Sequence, residues 1–243
     1  MIFDAHYHNP KLAKLFDFSN GWSADRDFYL ALAKPEPQKI LDLGCGTGLL
    51  CDAYAGLGHD VTGVEPSDTM LDIARTKPNA SKIEWVLSTA QNYKTQKKFD
   101  LVVMTGHAFQ VLFEAADVRA TLAVVKKCLK PHGAFVFETR NPEINWSRKW
   151  NYHIELDLPE GPVAERRRFL RMKNNRMTSE FQFQFSDEKL VTANSLRFWS
   201  QREIEHYLTE AGFNIEHLYG DWEKNEIQPT KSKEMIFITK PRT

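Results

Sequence analysis

Apolar and polar positions along this chain follow two different periods, and the period switches from segment to segment. Apolar runs at Ile40–Leu43, Val61–Val64 and Phe99–Met104, with a further run from Ile83, are bounded by glycine, proline or polar residues, as expected of strands buried on both faces. Between them lie helical signals. One helix is expected from about Gly48 to Leu57, stopped by Gly58; Ser67 can cap a second, which Pro78 ends. Leu122, Val125 and Leu129 fall at helical spacing after Asp117, and a strand follows from Ala134 to Glu138. Strand–helix alternation of this kind builds a parallel sheet with helices on both faces.

The rhythm breaks between Asn141 and about Trp199. Arg166 to Lys173, then Asn174-Asn175, then Met177 onward with alternating Phe181, Phe183 and Phe185, predicts antiparallel strands around a tight turn. The phenylalanines are expected to form one packed face. The basic residues between Arg166 and Arg176 are expected on a solvated strand face. Helix and strand signals return afterwards: Ser200-Gln201-Arg202-Glu203 is a capping box opening a helix that Gly212 closes, and apolar stretches at Phe213–Tyr219 and Glu234–Thr239 complete the sheet. Three units follow: 1–140, an N-terminal cap and core; 141–199, an inserted sheet; 200–243, a helix and hairpin that finish the core.

Composition narrows the picture. The 243 residues suffice for a proper core. Basic and acidic residues balance at 32 each, so charge gives no reason to expect DNA as a partner. Three cysteines, Cys45, Cys51 and Cys128, lack metal-ligand spacing, so no metal is expected. No apolar run approaches the ~18 residues that span a bilayer. A cytoplasmic protein is the expectation.

Chemistry concentrates in Asp42-Leu43-Gly44-Cys45-Gly46-Thr47-Gly48. A buried strand runs into a glycine-packed turn and a helix, which is a nucleotide-binding corner. A dinucleotide fingerprint would need glycine at position 49, where Leu49 stands. Val61 to Val64 then ends in Glu65, a suitable distance on for a carboxylate that accepts from both hydroxyls of a ribose.

On these residues the chain resembles the class I, Rossmann-like S-adenosylmethionine-dependent methyltransferases of small-molecule type. The matches extend to Phe99-Asp100-Leu101-Val102 and Leu129-Lys130-Pro131-His132-Gly133, and more weakly to Ala211-Gly212-Phe213. The resemblance implies a seven-stranded, mostly parallel α/β sheet with helices on both faces, the last hairpin supplying one antiparallel strand. The break at 141–199 then adds an antiparallel sheet that roofs the active site or mediates a homodimer.

The same resemblance assigns S-adenosylmethionine as cofactor. Gly44, Cys45, Gly46 and Gly48 would surround its methionine part, with Asp42 supporting the loop or the amino group and Glu65 on the ribose. Pro66 and Met70 would pack the adenine, framed by Thr89, Ala90 and Gln91. The family usually has an acidic residue where Thr89 stands, so recognition is expected from Ala90 and Gln91. In relatives the N-terminal segment folds over the cofactor, which would bring Trp22 to the methionine end and Tyr29 to the carboxylate. Thr105 to Gln110 forms the methyl-facing loop, with His107 the candidate general base for a hydroxyl acceptor. Substrate contacts are expected from His107, Phe109, Arg140 and Asn141. The acceptor itself is not legible. A non-catalytic S-adenosylmethionine-binding regulator, or a tRNA or protein methyltransferase, are the alternatives.

Overall fold

The structure is a computed structural model that describes residues 5–158 and 161–242. Short helices α1 (Ala5–His8), α2 (Pro10–Ser19) and α3 (Ala24–Leu30) precede the first strand. Then β1 (Lys39–Leu43), α4 (Leu49–Gly56), β2 (Asp60–Glu65), α5 (Asp68–Ala74) and β3 (Ile83–Leu87) alternate as the sequence predicts, and β4 (Phe99–Met104) follows with only a short 3-10 turn between. They are followed by α6 (Ala115–Cys128) and β5 (Leu129–Arg140). The fifth strand is longer than its apolar run, because pairing with β4 already begins at Leu129.

After β5 the chain forms α7 (Trp146–Lys149) and then β6 (Tyr152–Leu156), β7 (Val163–Lys173), β8 (Arg176–Gln184) and β9 (Lys189–Arg197). These four strands pair antiparallel in sequence order as a separate sheet. Asn174 and Asn175, both with φ near +50°, make the left-handed turn between β7 and β8, the geometry that matches strand twist in a two-residue hairpin. Last come α8 (Gln201–Glu210), β10 (Phe213–Tyr219) and β11 (Glu234–Pro241). Ser200 and Glu203 form the expected capping box at α8.

The main sheet has seven strands in the order β10-β11-β5-β4-β1-β2-β3, with β11 antiparallel to both neighbours. Alternate residues feed two cores. Leu41, Val102 and Phe135 meet Val118, Leu122 and Ile204 on one face; Ile40, Val103 and Val136 meet Phe28, Tyr54 and Leu71 on the other. The strand order reverses between β1 and β4, the place where open sheets of this kind leave a crevice at their carboxyl ends. The second sheet is tied to the first through α2, whose Leu12 and Leu15 pack on Val163, Phe181 and Phe183. No helix among the described residues is long and apolar enough to cross a membrane.

Candidate active site

The carboxyl ends of β1 to β5 open into a cavity of about 1620 Å³. A pocket for one ligand holds roughly 300–1,000 Å³, so this one has room for two.

One end is built on the turn after β1. Gly44 holds a φ of +80°, and a Cβ there would lie 3.0 Å from that of Ala108. The amides of Gly44 and Cys45 both donate to the Val64 carbonyl, at 2.7 and 3.1 Å. Glu65 is 8% exposed and receives one N–H per oxygen, from Gly46 to Oε2 and from Ser67 to Oε1, each at 3.0 Å. Its remaining lone pairs are available to a ligand that donates. Burial pushes its pKa up to about 7, against the pull of those two N–H groups.

Asp42 lies beneath the turn, also raised to about 7 by burial. Its Oδ2 accepts from the Cys51 thiol at 3.5 Å, while Oδ1 has no hydrogen-bond partner. A buried carboxylate oxygen left unpaired beside a cavity calls for a cationic or donor ligand group. Burial pushes the Cys45 thiol up to about 11, so it is not a nucleophile at neutral pH.

Pro66, Met70, Thr89, Ala90 and Gln91 continue this wall. The hydroxyl of Thr89 is buried without a partner, whereas the Gln91 amide donates to Asp117 at 3.4 Å. The N-terminal helices close the opening from above. Ser67 donates to the Tyr7 carbonyl at 2.6 Å, and Asp17 accepts from Thr47 and pairs with Lys77. Tyr7, Phe16 and Arg26 therefore face the cavity.

The loop after β4 forms the middle. His107 sits in the left-handed region at φ +62°, uncommon for a side chain of this size. Two carboxylates hold it there. Glu138 Oε1 accepts from its backbone amide at 2.6 Å, and Glu234 Oε2 lies 2.8 Å from Nε2. Nδ1 makes no hydrogen bond to a described residue. The far end is lined by the antiparallel sheet, including Arg167, Arg171, Phe181 and Arg197.

A family defined as a methyltransferase domain matches residues 20–218. The chain belongs to that family. Among curated relatives, a ubiquinone biosynthesis O-methyltransferase of Rhodopseudomonas palustris (strain HaA2) is 36% identical over 112 residues, which cover 44% of this chain and 41% of that protein. The matched segment thus spans less than half the length of that relative. A protein of Geobacillus sp. (strain WCH70) named as a methyltransferase is 28% identical over 222 residues, 83% of each chain.

Solved methyltransferases share the fold. The S-adenosylmethionine-dependent enzyme of Clostridium acetobutylicum superposes with a TM-score of 0.79 at 18% identity, covering 96% of this chain and 98% of that one. The sugar N-methyltransferase KedS8 of Streptoalloteichus gives 0.75 at 19%, covering 95% and 92%.

Within this methyltransferase fold, Asp42, Gly44, Cys45, Gly46, Glu65, Pro66, Met70, Thr89, Ala90, Gln91, Thr105, His107 and Arg140 all line the one cavity. Five other residues lie elsewhere. Tyr29 is 1% exposed and gives its hydroxyl to Glu138, so it braces the His107 loop from behind. Trp22 is exposed and donates to Asp27 at 2.7 Å; Arg26, one turn further into the sequence, takes the cavity side instead. Gly48 is a packing position: a Cβ there would meet the Trp85 ring at 2.5 Å. Phe109 is in the core, stacked on Phe137 at 4.5 Å. Asn141, 2% exposed, spends its amide on the carbonyls of Pro229 and Ser232 at 2.7 and 2.8 Å, fastening the segment that delivers Glu234.

The basic stretch also departs from expectation. Arg166 and Arg168 are solvated, but alternation turns Arg167 inward beside Phe181; past the register shift between Phe169 and Arg171, the exposed Arg171 and Lys173 lie at the cavity rim on the face of Thr178 and Arg176. Phe181 serves both the packed face and the cavity wall. The sequence reading missed Glu138, Glu234 and Gln110. Glu138, a carboxylate closing the apolar run Ala134–Phe137, carried a signal; the pairing of Glu234 with His107 spans 127 positions and is visible only in the fold.

Proposed function

We propose that this protein transfers a methyl group from S-adenosylmethionine to a small-molecule acceptor. The observation that carries the reading is the pair of buried carboxylates, Asp42 and Glu65, flanking the Gly44–Gly46 turn at one end of a cavity too large for one ligand. Glu65 would accept from the ribose hydroxyls, and the unpaired Asp42 oxygen from the amino group. Arg26 would meet the carboxylate, and the unpaired Thr89 hydroxyl would take an adenine N–H where relatives have an acidic side chain. These residues fit the cofactor, whose sulfonium supplies an already activated methyl.

The protein's part is then alignment and exclusion of water. His107 faces the cavity between the two ends. With Nε2–H directed to Glu234, its Nδ1 is the nitrogen free to take a proton from a hydroxyl acceptor, and Glu234 stabilises the imidazolium that results. Glu138 and Tyr29 fix the loop that carries it. The antiparallel sheet supplies the roof on the acceptor side, a role supported by the residues of β7 to β9 that line the same cavity. Relatives named as ubiquinone biosynthesis and sugar methyltransferases support a small acceptor.

The test is an assay with methyl-labelled S-adenosylmethionine and a panel of phenolic and amino-sugar acceptors. Label should pass to at least one class. Cofactor binding without transfer to any acceptor would favour a non-catalytic regulator.

A further inference from the structure

The acceptor end of the cavity carries more positive charge than its own carboxylates neutralise. Arg140, at the end of β5, is wedged against Trp150 and Trp146, its guanidinium 4.8 and 5.7 Å from the ring centres. One Nη donates to Gln110 Oε1 at 2.8 Å. Gln110 is fully buried and fixed in turn by donating to the Arg197 carbonyl at 3.2 Å. No described carboxylate forms an ion pair with Arg140, and its other nitrogens make no hydrogen bond to a described residue. Burial holds the guanidinium below its ordinary pKa. The charges of Glu234 and Glu138 favour the cation from a distance, but neither occupies its free donors, which stay open to a ligand oxygen.

Arg167 stands close enough for the two guanidinium charges to repel. Its Nε pairs with Glu165, a fully buried carboxylate that also accepts from Ser19 at 2.9 Å. The guanidinium lies 4.7 Å from the Phe181 ring and 4.9 Å from that of Tyr152. Two oriented guanidinium groups thus stand in an aromatic enclosure, and only Arg167 is directly paired with a carboxylate. Planar guanidinium forks of this kind match the oxygens of carboxylates and phosphates. Both arginines line the cavity that also holds Glu65 and His107.

We propose that the methyl acceptor is a small organic anion, a carboxylate or phosphate ester on an aromatic or other planar body, whose charged group sits between Arg140 and Arg167 while its acceptor atom turns to His107. This rests on the methyltransferase reading for the direction of the acceptor atom, but the anion site stands on its own contacts.

The test titrates benzoate and phenyl phosphate against their neutral counterparts, benzamide and benzyl alcohol. Tryptophan fluorescence is the readout, since Trp150 touches Arg140, and each titration is run with and without S-adenosylhomocysteine. At least one anion should bind tenfold or more tighter than its neutral counterpart, and which one does so distinguishes carboxylate from phosphate. In Arg140→Gln and Arg167→Gln the preference should collapse to within about twofold, with S-adenosylhomocysteine affinity unchanged. Arg140→Lys should retain part of it.

Equal binding of acid and neutral compound by the wild type, or no binding of either up to tens of millimolar, overturns the proposal without recourse to any variant. A preference that survives Arg140→Gln also overturns it. Failure of S-adenosylhomocysteine to bind while the anion preference persists would count against the methyltransferase reading and leave the anion site in place.

Discussion

The imidazole of His107 and the carboxylate of Glu234 meet at 2.8 Å, one on the loop after the fourth strand and the other at the start of the last. Glu234 lies opposite Arg140 in the β11–β5 ladder, and Asn141 anchors the segment before it. The dyad is therefore set by the antiparallel edge of the main sheet, away from the glycine corner. If His107 takes a proton during transfer, His107→Gln should lower turnover by roughly 10²–10⁴-fold with cofactor affinity nearly intact. Glu234→Gln should lower turnover less, because the imidazole keeps its nitrogen but loses the carboxylate that orients it. Turnover within a few-fold of wild type in both variants would remove the pair from catalysis.

The two carboxyls raised to about 7 give cofactor binding a pH dependence. Each is partly protonated in the free protein near neutrality, whereas ligand donors favour the ionised form. Affinity for S-adenosylhomocysteine should therefore be full at pH 8 and fall as the pH drops through 7. At pH 6 the loss should be about tenfold if one group must ionise and about a hundredfold if both must. Calorimetry at pH 6, 7 and 8 measures this; a constant affinity across that range contradicts it.

Gly48→Ala should destabilise the fold by about 2–5 kcal/mol, combining about 1–2 kcal/mol for left-handed backbone with about 1–3 kcal/mol for overpacking against Trp85. Urea denaturation reads the change. A loss below about 0.5 kcal/mol, no more than an ordinary surface change, would show that Trp85 gives way and that the glycine is not a packing requirement.

Tyr29→Phe removes a hydroxyl from a buried carboxylate, which should cost about 1.5–3 kcal/mol of stability. Affinity for S-adenosylhomocysteine should stay within twofold of wild type. A tenfold loss of affinity in the folded variant would put Tyr29 back at the cofactor.

The glycine corner and Glu65 were legible because their roles are local: a turn, a strand end and a cap lie within two dozen residues. The parallel core was legible for a similar reason, since buried strands show as apolar runs. What stayed hidden depends on direction and on distant pairing. Tyr29 and Arg26 sit on one short helix, and only its docking decides which of them faces the cavity. Phe109 reads like a loop aromatic until its ring is seen stacked on Phe137. The basic stretch in β7 reads as one solvated face, yet alternation turns Arg167 inward between the solvated Arg166 and Arg168. The Glu138 and Glu234 contacts with His107 join segments 31 and 127 positions apart, which no local pattern records.

The central claim, that the Gly44–Gly46 turn and Glu65 hold an adenosyl cofactor of the methionine type, is tested most directly by calorimetric titration of the purified protein with S-adenosylhomocysteine and with NAD, repeated on Glu65→Ala. S-adenosylhomocysteine should bind the wild type and NAD should not, and Glu65→Ala should weaken binding by about 1.5–3 kcal/mol, the range for hydrogen bonds to a charged group. NAD binding with no response to S-adenosylhomocysteine, or an unchanged affinity in Glu65→Ala, would contradict the account.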